Sequence, residues 1–294
     1  SGLYALDATD TDTGDGDGYG QGAEITLAMS GDDIIGTAGG ETYFTISVDA
    51  TTGEVTFTQS KNIWHGDTGN HDDAASLNVA TGTMLLTQTV TDADGDTASA
   101  DYDLGTGADF SIEDDGPSVV LNETFTASDL LLDESPLPTD GDGIVSATAD
   151  FSGAFAATID YGTDGAGSVA YSLSLAGSDM GSGLYALDAT DTDTGDGDGY
   201  GQGAAIMLSM DGADIVGMVD TTEYFRISVD SSTGEVTFTQ SENIWHPVAG
   251  DDTSGEHDDA ASLNAAAGTI LLTQTVTDAD GDTASADYDL GTGA

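Results

Sequence analysis

Two stretches of the chain read TDADGDTA, at Thr91–Ala98 and Thr277–Ala284. In each, three aspartates alternate around a glycine: Asp92, Asp94 and Asp96 around Gly95, and Asp278, Asp280 and Asp282 around Gly281. Calcium takes about six to eight hard oxygens in a flexible geometry, and closely spaced carboxylates with turn carbonyls supply them. The chemistry to expect is therefore cation binding. The glycine stands at the fourth place of the loop and no glutamate follows at the twelfth, so the pattern is not an EF-hand loop. The same residues also make an ordinary solvated hairpin turn. Asp101 is a poor addition to the set, because a strand rising ~3.3 Å per residue carries it too far from Asp96.

Other acids form a second candidate. Glu113, Asp114 and Asp115 stand in the stretch DFSIEDDGPS at Asp109–Ser118, and Asp133 and Glu134 follow it. Together they could clamp a cation, or simply form a solvated linker. A third candidate is the Asp/Gly-rich loop Asp7–Gly22, with Asp10, Asp12, Asp15 and Asp17. It lacks a lysine and a following helix, so it is no phosphate cradle. The four histidines, His65, His71, His246 and His257, sit in paired IWH…HDD motifs. Their spacing differs between the copies, which a fixed ligand set tolerates badly. Structural roles are expected for them, and core roles for Trp64 and Trp245. No nucleophile–base pair stands out, and the expectation is that the chain is not an enzyme.

The acids need neutralising. The 294 residues hold 55 Asp and Glu against two bases, Lys61 and Arg226, for a formal net charge of −53. Such a chain repels itself unless salt screens it or cations bind. Nucleic acid is excluded as a partner, because phosphate contacts need basic side chains. Anionic membrane surfaces are excluded for the same reason. High net charge is also a mark of disorder, but 38% of the residues are hydrophobic and they fall in regular patterns. Without cysteine there is no disulfide framework and no thiolate zinc site. No signal peptide is visible, and no apolar run approaches the ~20 residues of a membrane span. The stretch reads as an internal fragment, monomeric, with no membrane insertion of its own.

An internal repeat organises these motifs. Ser1–Ala23 and Ser182–Ala204 are identical letter for letter, and so are Leu85–Ala108 and Leu271–Ala294. Between them the second copy gains a short insertion around Pro247 and Gly250. Residues 1–108 read as the later part of one repeat, 109–118 as an acidic linker, and 119–294 as a full repeat. Residues 119–181 form either a separate lobe or strands shared with a neighbouring unit. A period this long means tandem domains, not a solenoid.

The local pattern is β. Phe44, Ile46 and Val48 alternate with polar residues, as do Val55 and Phe57 after a turn, which predicts a hairpin with one apolar face. Thr97–Leu104 alternates likewise. Ala154–Tyr161, Ser168–Leu175, Ile206–Met210, Asp214–Met218 and Ile270–Thr277 are further predicted strands. One helix-like stretch is expected at Asp72–Leu77 and its copy Asp258–Leu263, capped by an Asp. The fold class expected is all-β, as tandem antiparallel sandwiches of immunoglobulin type.

The order of motifs resembles a known group. IEDDGP at Ile112–Pro117, the Asp133–Glu134 pair after it, GEVTFTQ at Gly53–Gln59 and Gly234–Gln240, and VTDADGDTA at Val90–Ala98 and Val276–Ala284 look like the tandem repeats of giant RTX adhesins exported by type I secretion. The resemblance implies a secreted, bacterial-surface location and a part in cell adhesion and biofilm. It also implies calcium-loaded immunoglobulin- or cadherin-like domains and an extender role, with calcium and neighbouring repeats as the partners. Carried over by position, Asp92, Asp94, Asp96, Asp278, Asp280, Asp282 and the linker acids would be calcium ligands. The repeat is longer than a simple immunoglobulin-like domain of about 100 residues, and the nonapeptide of calcium-binding β-rolls is missing. The rival expectation is a ligand-binding adhesin module that grips a sugar or a surface. If domains join end to end, Asp278, Asp280 and Asp282 approach Glu113, Asp114 and Asp115, with Asp133 and Glu134, around a shared calcium.

Overall fold

The computed structural model describes all residues except 12–15, 17, 133–145, 177–179, 194, 248–259 and 292–294. The described chain is all-β, built of antiparallel sheets of sandwich type. It divides into two compact units. The first holds Ser1–Ser118, Asp160–Ser168 and Val276–Ala284; the second holds Val119–Ile159, Val169–Thr275 and Ser285–Ala294.

In the first unit, β1 (Tyr4–Leu6) pairs with β2 (Gln21–Glu24). Then β3 (Thr26–Ser30), β4 (Asp33–Ala38), β5 (Glu41–Val48) and β6 (Val55–Gln59) form a four-stranded meander. The predicted β5–β6 hairpin is present, with Phe44 paired to Gln59 and Val48 to Val55. Its apolar face buries Phe44 and Ile46 beside Leu3, Ile25, Ile63 and Met84. Gly36 lies opposite Phe44 where the β4–β5 register shifts, and a side chain there would occupy the space of the Phe44 ring.

β7 (Ala74–Ser76) falls inside the stretch expected to be helical. Its backbone pairs instead with β10 (Ser111–Glu113), so long-range pairing overrides the local helical signal. That pairing also changes the reading of Asp109–Ser118. The segment is not a loose linker: Phe110, Ile112 and Pro117 are buried, and the whole stretch belongs to the first unit. Between β7 and β10 lies a hairpin of β8 (Leu85–Thr91) and β9 (Thr97–Asp103), followed by a helical turn at Leu104–Gly107.

The second unit pairs β11 (Ser146–Asp150) into a six-stranded sheet. Across that sheet follow β17 (Glu235–Gln240), β16 (Thr222–Val229), β15 (Asp214–Val219), β14 (Gln202–Asp211) and β13 (Gly181–Leu187). A three-stranded sheet orders β12 (Ala166–Leu175), β18 (Ile270–Asp278) and β19 (Thr283–Asp289). Both sheets feed one core: Ile206, Ile215, Phe225 and Val236 from the first, Leu173, Ile270 and Leu272 from the second. The predicted strand Ala154–Tyr161 is not one. A 3-10 turn at Ser152–Ala154 and isolated bridges at Phe155 and Asp160 stand there, because Ala154 and Phe155 drop into the core.

Phe225, fully buried over Gly217, is the test of the second core. Phe225→Ala is expected to cost about 3–5 kcal/mol, read as a lower denaturation midpoint for the second unit. Phe44→Ala is expected to do the same to the first. A loss under about 1 kcal/mol in either would show that the ring is not packed as described.

Candidate metal centre

The site starts from a turn. β18 ends at Asp278 and β19 begins at Thr283, and the chain reverses through Ala279–Asp282. The Asp278 amide donates to the Asp282 carbonyl at 3.1 Å. Asp278 Oδ1 accepts from the amides of Gly281 at 3.1 Å and Asp282 at 2.8 Å. Gly281 sits at φ +104°, in the left-handed region where a Cβ is strained. A Cβ there would also stand 2.8 Å from a ring carbon of Tyr19. With Oδ1 engaged in the turn, Asp278 has Oδ2 left over.

Residues of the first unit surround this turn. Asp114 follows β10, and its amide donates to the Asp73 carbonyl at 3.0 Å. Asp164 lies in the Asp160–Ser168 segment, where Asn62 Nδ2 donates to its Oδ1 at 3.1 Å and also to the Thr163 carbonyl. The His65 amide donates to Asp280 Oδ2 at 3.3 Å, and the His65 ring meets Asp73 through Nδ1 at 3.1 Å. His71 Nε2 donates to the Thr283 carbonyl at 3.1 Å. Carboxylate oxygens of Asp114, Asp164 and Asp280 come within 4.8 Å of one another. A cleft of about 310 Å³, lined by Asn62, His65, Asp115 and Thr163 among others, opens onto Asp114 and Asp164.

The electrostatics are one-sided. Asp278, Asp280 and Asp282 are 0–2% exposed. Among the described residues, the buried side-chain polar atoms without a hydrogen-bond partner are both oxygens of Asp114 and one each of Asp164, Asp278, Asp280 and Asp282. All six atoms belong to this cluster. An unpaired buried carboxylate is costly, and such groups either bind a cation or take up protons. Burial pushes Asp164 and Asp278 up to about 8 and Asp282 up to about 7, with neighbouring carboxylates adding to the rise. Asp280 is raised too, first by burial. The two bases are engaged elsewhere: Lys61 with Glu41 at 3.0 Å, and Arg226 with Glu223, Asp214 and Asp211.

An all-oxygen donor set of this kind suits a hard cation such as calcium, magnesium or manganese. His65 and Asp73 form an adjoining group with Asp114. Its imidazole is held by Asp73, so the carboxylates are the free donors.

The sequence-predicted residues fall into distinct groups. Asp278, Asp280, Asp282 and Asp114 come together. Glu113 and Asp115 flank Asp114 and line the same cleft, but both are exposed. Asp133 and Glu134 lie outside the described residues, as do Asp12, Asp15, Asp17 and His257. Asp92, Asp94 and Asp96 approach one another within 4.8 Å but are all exposed. Their turn has the same hydrogen bonds, with Asp92 Oδ1 accepting from Gly95 and Asp96 at 3.1 and 2.9 Å. The copy of the third candidate loop also gathers Asp191, Asp193 and Asp196, none of them buried. Asp164 is the residue that sequence reasoning missed. Its signal was a single Thr-Asp-Gly turn at Thr163–Gly165, outside the duplicated stretches.

A family model described as a domain of unknown function, DUF5801, matches residues 1–105 and 129–291. The chain belongs to that family. No curated protein and no solved structure matches it.

The cluster makes stability depend on pH. Carboxyls at about 7–8 in the folded chain return to the ordinary 3.8 on unfolding, so between these values the folded state holds more protons. Stability is then full near pH 4 and falls as pH rises through about 8. The groups facing one another are Asp114, Asp164, Asp278, Asp280 and Asp282, with His65 and His71 beside them. In chelator, the urea midpoint of the first unit is expected to drop between pH 5 and 8, and Asp280→Asn to flatten the slope. A midpoint that holds or rises over this range contradicts a desolvated cluster.

Proposed function

We propose that this DUF5801 chain is a structural extender segment of a secreted bacterial adhesin, a spacer whose folded repeats are stiffened by bound calcium. The observation that carries the reading is the set of six partnerless, buried carboxylate oxygens around Asp114, Asp164, Asp278, Asp280 and Asp282. Three of these residues, Asp114, Asp164 and Asp280, bring ligand oxygens within 4.8 Å of one another, and a flexible set of carboxylates with room for further oxygens suits calcium better than the strict octahedron magnesium demands. Near-identical repeats support a role that needs length more than distinct surfaces. The acid excess and lack of cysteine accord with a life outside the cell, where calcium is abundant. Asp280 and Asp164 would be ligands held by the His65 amide and Asn62; Asp278 would serve through Oδ2 while its Oδ1 keeps the turn closed.

One observation favours the rival reading of a ligand-binding module. The second unit has an apolar cleft of about 560 Å³, lined by Leu131, Leu184, Ile227, Phe238 and Ile244 among others. Saturable binding of an apolar or glycan probe, lost in Phe238→Ala, would favour it.

Calcium binding to the folded state alone stabilises by mass action, about 2.7 kcal/mol at a concentration one hundred times Kd. Melts in calcium and in chelator at matched ionic strength are expected to differ clearly, with Kd in the ~0.1–1 mM range of extracellular modules or tighter. Asp280→Asn is expected to weaken the tightest site at least about tenfold, since affinity follows ligand charge. Asp94→Asn, the same residue in the exposed turn, is expected to leave that site unchanged. Single-molecule pulling should find a lower unfolding force in chelator. Equal melting temperatures with and without calcium sink the reading.

A further inference from the structure

Two hairpins of the same sequence have different fates. β8 and β18 share LLTQTVT, at Leu85–Thr91 and Leu271–Thr277. β18 has β19 on one side and β12 on the other. β8 has β9 alone, in a two-stranded sheet, so among the described residues its other edge is unpaired. The side chains follow. Val276 is 1% exposed, whereas its copy Val90 is 61% exposed. Gln274 is buried and donates to the Tyr171 hydroxyl of β12 at 2.8 Å, while its copy Gln88 is exposed. Tyr288 packs on Phe125 and Phe151, with ring centroids 5.7 and 6.1 Å apart; its copy Tyr102 is 54% exposed.

A two-stranded hairpin with both faces open is marginal on its own. An unpaired edge beside exposed apolar side chains is a template for another strand. We propose that the open edge of β8 is a docking surface for a second copy of the strand Ala166–Leu175. That copy would complete a three-stranded sheet, as β12 does beside β18. The fit is argued from identity: every β8 residue that would meet the added strand is the same in β18. It is also argued from charge. The strand AGSVAYSLSL carries no acid. A second β8–β9 hairpin would instead add five more acids, copies of Asp92, Asp94, Asp96, Asp101 and Asp103, to the same small sheet, a repulsion that screening only partly relieves. The recognition is strand addition, with main-chain hydrogen bonds for affinity and alternate side-chain pockets for register. It does not depend on the calcium reading.

The test places a copy of residues 109–181 ahead of Ser1. The junction reproduces the one before Ser182, because Ser1–Ala23 and Ser182–Ala204 are identical. Hydrogen exchange of the Leu85–Thr91 amides is compared in the extended and original chains. Protection on the order of 100-fold is expected in the extended chain. Val90→Asp is expected to abolish that gain while leaving the original chain's midpoint unchanged; Tyr102→Ala replaces it should the extended Val90→Asp chain fail to fold. Val276→Asp is expected to destabilise the original chain. Unchanged exchange in β8, with the added segment itself protected, overturns the proposal. So does an original chain that sediments as a dimer with β8 already protected, since the occupant would then be a second hairpin.

Discussion

Carboxylate repulsion constrains every part of this protein. With 55 acids and two bases, salt bridging cannot balance the charge. Arg226 is spread over three carboxylates and Lys61 over one. Most of the remaining described acids stand in water, where screening limits their cost. Many serve locally: Asp49 and Asp230 each accept from the next turn's amides at 2.8–3.0 Å, the usual employment of Asp in turns. Against that background, carboxylates gathered in one dry place are an exception that needs its own physical reason.

Context decides whether a motif becomes a site. The Asp92–Asp96 and Asp278–Asp282 turns have one sequence, one hydrogen-bond pattern and the same left-handed glycine at φ +99° and +104°. Turn chemistry is therefore local and complete in both. Desolvation is not local. It requires Tyr19 against Gly281, the His65 amide on Asp280, and Asp114 and Asp164 close by. Only the second turn has these. A spare carboxylate oxygen in the first turn has water beside it, whereas the spare oxygens of Asp278, Asp280 and Asp282 are buried without a partner.

The same distinction explains what the sequence made readable. Period-two alternation found β5, β6 and β9; one face of β5 and β6 packs on a core, whereas β9, expected to be half-buried, is exposed along nearly all its length because no second layer covers it among the described residues. The repeat and the DxDGD turn pointed to Asp278, Asp280 and Asp282, and the acidic run pointed to Asp114. Asp164 escaped because nothing in Tyr161–Gly165 is repeated and one acid in a turn is commonplace. Asp72–Leu77 was misread because the strand partner that fixes it, β10, lies far along the chain. The IEDDGP stretch looked like a linker from its acids and proline, yet Phe110, Ile112 and Pro117 anchor it. Within it Asp114 is buried while Glu113 and Asp115 are exposed.

Sequence separation sets what closing this cluster requires of the chain. Asp114, Asp164 and Asp280 come from three distant parts of the chain, and bringing them together closes long loops. Closure entropy rises only slowly with loop length, so the entropic penalty is modest and the carboxylate repulsion is the larger obstacle. An ion that removes the repulsion acts on the folded arrangement alone, because an unfolded chain presents no such cage. Its whole binding free energy then opposes opening of these three segments. A ligand set drawn from Asp114, Asp164 and Asp280 would tie together more of the chain than the exposed Asp92–Asp96 turn, whose members are already neighbours in sequence.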